Sequence, residues 1–265
     1  MKPQINIGTL NDIEFSDILY KYRDWDNINN RRFILNSEVY LSSPDQFEDK
    51  LDCKIPIRYD LMSAKQAYAF YERLQNQSGK RLNRQQKRNK IRDFVKAKEY
   101  KSKKINAENE KIYFEEYFKR IGILCLTAEN KLEEMWVKYA NNHTGFCIGY
   151  NSRILFESLG GGGKVEYVDT LPIIMPDPIM DRGTQRYKQV YHKLKDWEFE
   201  KEYRTQKFWF NGASRSDRQI ELPKQAFHSV ILGKNITDLN RHLIIEAVKT
   251  NVGDHVQIID YNSII

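Results

Sequence analysis

Short apolar runs alternate with helical spacing along the chain, which is the pattern of a mixed α and β protein. Runs rich in β-branched and aromatic residues predict strands at residues 17–23, 39–42, 121–127, 145–150, 196–204, 227–233 and 256–260. Helical periodicity follows several of these runs, at residues 130–143, 184–195 and 238–250. We therefore expect an α+β fold built on a mixed, strongly twisted sheet.

Residues 61–120 differ from the rest of the chain in both periodicity and charge. Aromatic residues recur there at helical spacing, and the segment holds 17 Lys and Arg against 7 Asp and Glu, a net charge of +10. The whole chain carries only +7, so the other residues are slightly acidic. We predict one domain over residues 1–265 with a basic helical insertion at about residues 61–120.

Composition excludes several classes of protein. Apolar residues make up 40% of the chain, no apolar run is long enough to span a bilayer, and the N-terminus lacks a signal-peptide pattern. Cys53, Cys125 and Cys147 are widely spaced and form neither a disulfide framework nor a zinc motif. We expect a reduced, cytoplasmic protein without a membrane partner.

The segment "DWEFEKEYR" (residues 196–204) places Glu198, Glu200 and Glu202 at every second position before Arg204. On a strand these carboxylates share one face, where they repel one another unless a cation lies opposite. We expect Glu200 and Glu202 to line a cleft with Arg23 as that cation, and Arg204 to act as their structural partner. The alternatives without a catalytic function are an exposed strand face, or a structural ion pair of Glu202 with Arg204 or with a lysine on a neighbouring strand.

Four phrases together resemble an uncharacterised bacterial family, domain of unknown function 2971. They are "LYKYR", "LSSPDQFEDKLDC", "GILCLT…MWVKYANNHTGFCIGY" and "WEFEKEYR", and they occur in the family's order outside the basic segment. The layout is also similar to that of ADP-ribosyltransferases, in which a first-strand cation holds NAD, a serine supports the nicotinamide ribose and a late glutamate drives transfer.

The ADP-ribosyltransferase resemblance implies a role for residues in each of these positions. It implies an ADP-ribosyltransferase-like sheet, NAD as the substrate, and NAD-binding residues Lys21, Tyr22, Arg23, Ser42 and Ser43. His143, which follows a predicted helix and precedes Gly145, is a further NAD-binding candidate at the pocket edge, or a local hydrogen-bonding group. The sequence departs from that superfamily because it has no Ser-Thr-Ser phrase. Enzymes of this kind act in toxin and antiviral defence, which the resemblance alone suggests.

The chemistry of transfer explains why two carboxylates would be useful. Cleavage at the ribose passes through an oxocarbenium-like centre that a carboxylate stabilises, and a second carboxylate can deprotonate the acceptor. We assign Glu202 and Glu200 as the catalytic candidates. Arg23 would bind the pyrophosphate through its planar guanidinium, or pair with a loop aspartate.

Other candidate pocket residues come from a loop and a helix. Phe47 and Leu51 are expected to anchor the loop at residues 43–53, with Asp49 and Asp52 facing the pocket or, as the less favoured alternative, binding a divalent cation. On the predicted helix, Trp136 and Tyr139 share a stripe that packs in the core or lines the pocket. We predict no metal site.

The basic segment at residues 80–104 is the candidate surface for nucleic acid, because clustered Lys and Arg bind phosphates without reading sequence. A solvated helical arm is the alternative. Three functions stay open: an NAD-dependent ADP-ribosyltransferase or glycohydrolase acting on a macromolecule, a non-catalytic sensor or adaptor, and a metal-dependent nuclease.

Overall fold

A computed structural model of the chain describes residues 9–77 and 83–264. The strands are β1 (Ile18–Arg23), β2 (Glu38–Tyr40), β3 (Ile121–Thr127), β4 (Phe146–Asn151), β5 (Gly163–Lys164), β6 (Glu166–Val168), β7 (His192–Leu194), β8 (Glu202–Phe208), β9 (Gln219–Glu221), β10 (Phe227–Leu232) and β11 (Gln257–Asp260). The α-helices are α1 (Ile28–Leu35), α2 (Ala64–Gln77), α3 (Arg84–Lys96), α4 (Lys103–Arg120), α5 (Glu133–Tyr139), α6 (Ser152–Leu159), α7 (Arg182–Tyr191) and α8 (Asp238–Ala247).

Within the described residues, seven strands form the main sheet in the order β11-β10-β4-β1-β3-β8-β5. The β10–β11 pair is parallel, and the other pairs are antiparallel. The predicted α+β class and mixed sheet are therefore confirmed. Two further strand pairs, β2–β9 and β6–β7, lie outside the main sheet.

The apolar alternation of the central strands accounts for the core. Leu19, Leu124, Leu126 and Ile148 belong to a large buried cluster on one face of the sheet. On the strands β1 and β4, Tyr22 and Cys147 belong to a separate buried cluster around Trp136. Because both faces are covered, a charged residue that points from these strands costs free energy unless it finds a partner.

The helices α2, α3 and α4 confirm the predicted helical character of residues 61–120 in the part of that segment that the structure describes. Asn83 caps α3 by accepting a hydrogen bond from the Gln86 amide. Ala67, Phe70 and Tyr100 pack with Ile57 and Ile174 in a second buried cluster, which joins these helices to the rest of the protein. Residues 80–82 of the basic segment lie outside the described residues.

The prediction of one continuous strand over residues 196–204 is wrong in its first half. Residues Lys195–Glu200 form a 3-10 helix, Lys201 adopts a left-handed conformation with φ 44°, and β8 begins at Glu202. The Thr127 hydroxyl donates to the Glu200 carbonyl over 2.6 Å and fixes this turn. Glu200 and Glu202 still lie together, whereas Glu198 is exposed.

Among residues 9–77 and 83–264, no helix combines the length and the apolar character that crossing a membrane requires.

Candidate functional site

The candidate site lies where two neighbouring strands of the main sheet separate. β1 pairs with β4 along its whole length, from Ile18 to Arg23, and β3 pairs with β8 along its whole length. Between β1 and β3, however, the register contains a single pair in the described residues, Tyr20 with Thr127. Beyond that pair the strands diverge, and a cavity of about 220 Å³ is lined by residues 20–23 of β1 and 123–126 of β3.

Three further segments complete the walls of this cavity. They contribute Tyr40, Ser42, Gln46, Phe47, Glu48, Asp49 and Asp52 from β2 and the loop after it, Met135, Lys138 and Tyr139 from α5, and Lys193, Trp197, Glu200 and Glu202 from β7 to β8. Lys138 and Glu48 form an ion pair of 2.8 Å at this wall.

Arg204 is the centre of a buried group of charges behind the cavity. Its side chain is 0% exposed, and its guanidinium binds two carboxylates bidentately. It donates to Asp52 over 2.8 and 2.9 Å and to Glu202 over 2.8 and 2.7 Å. Because Glu202 and Arg204 are two residues apart on β8, their side chains leave the strand on the same face.

Lys193 connects Asp52 and Glu202 to the second glutamate, Glu200. Its ammonium lies 2.5 Å from Glu200 Oε2, 3.4 Å from Glu202 Oε2 and 3.5 Å from Asp52 Oδ2. It also lies 4.8 Å from the centre of the Trp197 ring. We call Asp52, Lys193, Glu200, Glu202 and Arg204 the acid–base cluster. Three carboxylates and two cations give it a formal charge of −1.

The acid–base cluster moves the pKa values of its two glutamates in opposite directions. Burial raises the pKa of Glu200, and the opposing effect of Lys193 does not cancel this rise. Burial alone would also raise the pKa of Glu202, but Arg204 and Lys193 outweigh it and lower that pKa to about 2. Glu202 is therefore a fixed anion, while Glu200 takes up a proton more readily.

The β1 side of the cavity holds two cations of a different kind. The Lys21 ammonium donates to the Cys125 carbonyl over 2.5 Å. Arg23 donates to the Tyr22 carbonyl over 3.2 Å, and its guanidinium lies 4.5 Å from the centre of the Phe33 ring. Its Nε is buried without a hydrogen-bond partner. Within the described residues neither side chain forms an ion pair with a carboxylate; we call them the β1 cations.

Burial without a carboxylate partner lowers the pKa of both β1 cations. Burial is the main reason that the pKa of Lys21 falls to about 8, and repulsion by Arg23 adds to it. Burial likewise lowers the pKa of Arg23 to about 10. The position of Arg23 also depends on Gly145, since a Cβ there would lie 2.2 Å from the Arg23 carbonyl oxygen. These cations are available to a bound anion.

The expectation that Arg23 neutralises the glutamates is wrong. Lys193 and Arg204 occupy the positions beside Glu200 and Glu202, and Arg204 takes the partner role predicted for it. Lys193 was not identified because it lies on a strand of only three residues, and its contact with Asp52 joins parts of the chain that are far apart in sequence. No local pattern in "YHKLKD" distinguishes it from an exposed lysine.

Most residues predicted for NAD binding border the cavity. Lys21, Tyr22, Arg23 and Ser42 line it, and Ser42 exchanges two backbone hydrogen bonds of 2.8 Å with Ile123 of β3. Ser43 does not, since its hydroxyl donates to the Phe118 carbonyl instead.

His143 and Trp136 both lie in the core instead of at the cavity, so the placement of His143 at the pocket edge is wrong, and for Trp136 the core alternative is confirmed and the pocket alternative is not. His143 is 1% exposed, stacks on Trp136 at 5.1 Å and binds Glu133 over 3.0 Å. The Trp136 indole donates to the Asn130 carbonyl over 2.9 Å. Tyr139, on the same helix, does line the cavity.

The loop after β2 is anchored differently from the prediction. Phe47 packs against a buried cluster, but Leu51 is 40% exposed and anchors nothing. Asp49 and Asp52 both line the cavity, and Asp52 is committed to Arg204. The part of the chain that the structure describes contains no group of three or more His, Cys, Asp or Glu side chains arranged to hold a metal ion.

No curated protein and no solved structure matches the chain. A family model does match residues 135–205, which contribute α5 and the cluster members Lys193, Glu200, Glu202 and Arg204 to the site. The match confirms the family resemblance over that part of the chain. Residues 135–205 thus carry the pattern of the uncharacterised family described as Protein of unknown function (DUF2971).

Proposed function

We propose that the cavity between β1 and β3 binds NAD and cleaves its bond between nicotinamide and ribose, as an ADP-ribosyltransferase or an NAD glycohydrolase does. One observation carries the proposal. Three segments far apart in sequence, containing Lys21 to Arg23, Ser42, and Glu200 with Glu202, border one cavity. These are the segments to which the superfamily resemblance assigns the phosphates, the ribose and the chemistry.

The charges around the cavity suit two groups of NAD, the phosphate and the ribose that is bonded to nicotinamide. The β1 cations offer donors to a phosphate, and a guanidinium can bind two phosphate oxygens together. Glu202, kept anionic by Arg204 and Lys193, would stabilise the positive charge that develops on the ribose when nicotinamide leaves. Glu200, whose pKa is raised, is suited to accept a proton from the attacking hydroxyl of the acceptor.

The size of the cavity limits how much of the dinucleotide it encloses. Pockets for drug-sized ligands have volumes of roughly 300 to 1,000 Å³, whereas this one has about 220 Å³. The nicotinamide ribose would therefore occupy the cavity and the adenosine would lie outside it. An ADP-ribosyltransferase-like arrangement of the sheet belongs to the same proposal, supported by the divergence of β1 from β3.

We further propose nucleic acid as the acceptor, held by the basic segment at residues 80–104. On α3, Arg84, Arg88, Arg92 and Lys96 follow one another at four-residue intervals, about 6 Å apart along the helix axis. All four are exposed, and in the described residues none of them has a carboxylate partner. Like charges at this spacing repel each other, and a bound phosphate backbone would relieve that repulsion.

Incubation with NAD labelled in its adenylate phosphate, together with RNA, DNA and protein, tests both parts of the proposal. We expect release of nicotinamide and transfer of label to RNA or DNA. Replacing the four α3 cations by Gln should weaken nucleic-acid binding and reduce the slope of log affinity against log salt by about 0.9 for each lost contact. A matched variant with Gln at the exposed Lys50, Lys131, Lys164 and Lys249 should keep the wild-type affinity for nucleic acid and the wild-type slope.

A non-catalytic binding domain is the second candidate, and one observation favours it. Both oxygens of Glu202 are held by Arg204, and one also lies near Lys193, so that Glu202 already has the contacts of a structural carboxylate. Dinucleotide binding without nicotinamide release would support this candidate. The metal-dependent nuclease gains no support, because Asp52, Glu200 and Glu202 are paired with cations and the described residues offer no metal group.

A further inference from the structure

Lys21 is a buried amine in the cavity wall, and its contacts do little to stabilise its positive charge. Its ammonium has one hydrogen-bond acceptor, the Cys125 carbonyl at 2.5 Å, and no carboxylate within ion-pair distance in the described residues. The groups that act on it are Arg23 on β1, Cys125 on β3, and Glu200 and Glu202 beyond them. Arg23 repels its positive charge, and the glutamates are already engaged with Lys193 and Arg204.

These surroundings favour the neutral form of the amine. With the pKa of Lys21 lowered to about 8, about half of the side chain is free amine at pH 8, whereas an unperturbed lysine is roughly 0.4% free. A free amine inside a cavity is a nucleophile toward carbonyl groups, as lysines that form Schiff bases are.

Arg23, two residues along the same strand, determines which carbonyl compounds would be drawn to this amine. Its guanidinium lines the same cavity and has a buried Nε without a partner. A guanidinium binds phosphate oxygens more readily than a neutral sugar or an aliphatic chain. The pair therefore suits a ligand that carries both an aldehyde and a phosphate.

We propose that Lys21 forms a Schiff base with phosphate esters that bear an aldehyde, while Arg23 binds the phosphate. The Lys21 nitrogen lone pair attacks the carbonyl carbon and forms the C–N bond. The carbonyl oxygen then leaves as water with the two amine hydrogens, and the C=N bond forms without an oxidant or a reductant. The natural ligand rests on the proposed function, since cleavage of NAD by water gives ADP-ribose, whose ribose opens to an aldehyde.

Trapping with pyridoxal 5′-phosphate tests this inference on the intact wild-type protein. The probe carries an aldehyde and a phosphate, and borohydride fixes any Schiff base for peptide mass spectrometry. At pH 8 we expect labelling of Lys21 to exceed that of the exposed Lys164 and Lys249 by about tenfold or more, from the larger fraction of free amine. Pyridoxal, which lacks the phosphate, should label Lys21 at least about tenfold less than pyridoxal 5′-phosphate.

Two variants and a pH series sharpen the test. Arg23→Met should reduce labelling of Lys21 by the phosphate probe to the level seen with pyridoxal, and Lys21→Arg should abolish labelling at that position. Labelling of Lys21 should rise through pH 8 and level off, while that of Lys164 continues to rise toward pH 10. Equal labelling of Lys21 and the exposed lysines, or equal reaction with the two probes, would overturn the inference. Labelling of Lys21 without any nicotinamide release would overturn the proposed function and leave this inference standing.

Discussion

On the β8 side of the cavity five charged side chains contact one another, whereas on the β1 side Lys21 and Arg23 contact backbone carbonyls and an aromatic ring. Both groups are removed from water, which costs free energy for any charge that is not paired. In the acid–base cluster the protein itself supplies the partners. At the β1 cations it leaves the partner to be supplied by a ligand.

The acid–base cluster and the β1 cations therefore contribute to different properties, the first to stability and the second to the binding of an anion. Removing one member of the acid–base cluster leaves an opposite charge buried and unpaired, so the folded state should lose much of its stability. Removing a β1 cation leaves no such charge behind, so stability should not fall while the affinity for an anion does. Four experiments test this difference between the acid–base cluster and the β1 cations.

The largest expected effect is on stability. Arg204→Met should reduce the free energy of unfolding by about 3 to 5 kcal/mol, because Asp52 and Glu202 each lose their bidentate partner. Chemical denaturation monitored by circular dichroism measures the loss. Arg58→Met is the matched control, since the Arg58–Asp60 pair is exposed on both sides and such pairs are worth about 0 to 1 kcal/mol. Equal losses in the two variants would refute the structural role of the acid–base cluster.

The next effect is on turnover. Glu202→Gln should lower the rate of nicotinamide release by about 100- to 1,000-fold, as the loss of one electrostatic stabiliser of a transition state does. Binding of NAD should persist because the amide keeps the shape of the carboxylate. Glu200→Gln should spare hydrolysis and lose transfer to an acceptor. Glu198→Gln is the control, since Glu198 is exposed on the 3-10 helix, and its rate of nicotinamide release should equal that of the wild type. Unchanged turnover in Glu202→Gln would show that Glu202 takes no part in the mechanism.

Stability in acid should depend on the same carboxylate. The pKa of Glu202 is lowered in the folded protein to about 2 from an ordinary 4.5. Its contribution to stability is therefore fully present above about pH 4.5 and is lost as pH falls through 2. Urea unfolding between pH 5 and pH 2.5 should show a stability decrease that is smaller in Glu202→Gln than in the wild type. Parallel curves for the two proteins would contradict this assignment.

The smallest expected effect is on affinity. Arg23→Met should weaken NAD binding by about tenfold or more, since one hydrogen bond to a charged group contributes roughly 1.5 to 3 kcal/mol. Its unfolding free energy should equal or exceed that of the wild type, because no carboxylate loses a partner. Calorimetric titration and denaturation measure the two quantities. Arg31→Met is a suitable control, as Arg31 also lies over an aromatic ring, that of Trp25, but does not line the cavity.

Local sequence pattern predicted the strands that form the floor of the site and the segments that border it. β1, β3 and β4 follow from runs of β-branched and aromatic residues, and Glu200 and Glu202 were brought to the cavity as expected. The alternation of Glu198, Glu200 and Glu202 nevertheless imitated a strand. A 3-10 helix and a left-handed Lys201 bring the last two together instead.

Arg204 could be predicted as a partner of Glu202 because the two residues lie two positions apart, whereas the participation of Asp52 and Lys193 depends on tertiary contacts that no local pattern shows. Asp52 contacts Arg204 across 152 positions, and it also lies 3.5 Å from the Lys193 ammonium. Helical spacing likewise left the positions of Trp136 and Tyr139 open, since it shows which residues share a stripe but not which part of the stripe faces a cavity. His143 was misplaced because its position after a helix does not show that it stacks on Trp136.

A crystal structure of Glu202→Gln with NAD would show whether the cavity between β1 and β3 is the NAD site, because binding should persist in this variant while turnover falls. We predict density for the nicotinamide ribose between β1 and β3, with a phosphate within hydrogen-bond distance of Arg23 and the ribose beside residues 200 and 202. Density for NAD at another surface, or an empty cavity at saturating NAD, would contradict the assignment of this cavity as the NAD site.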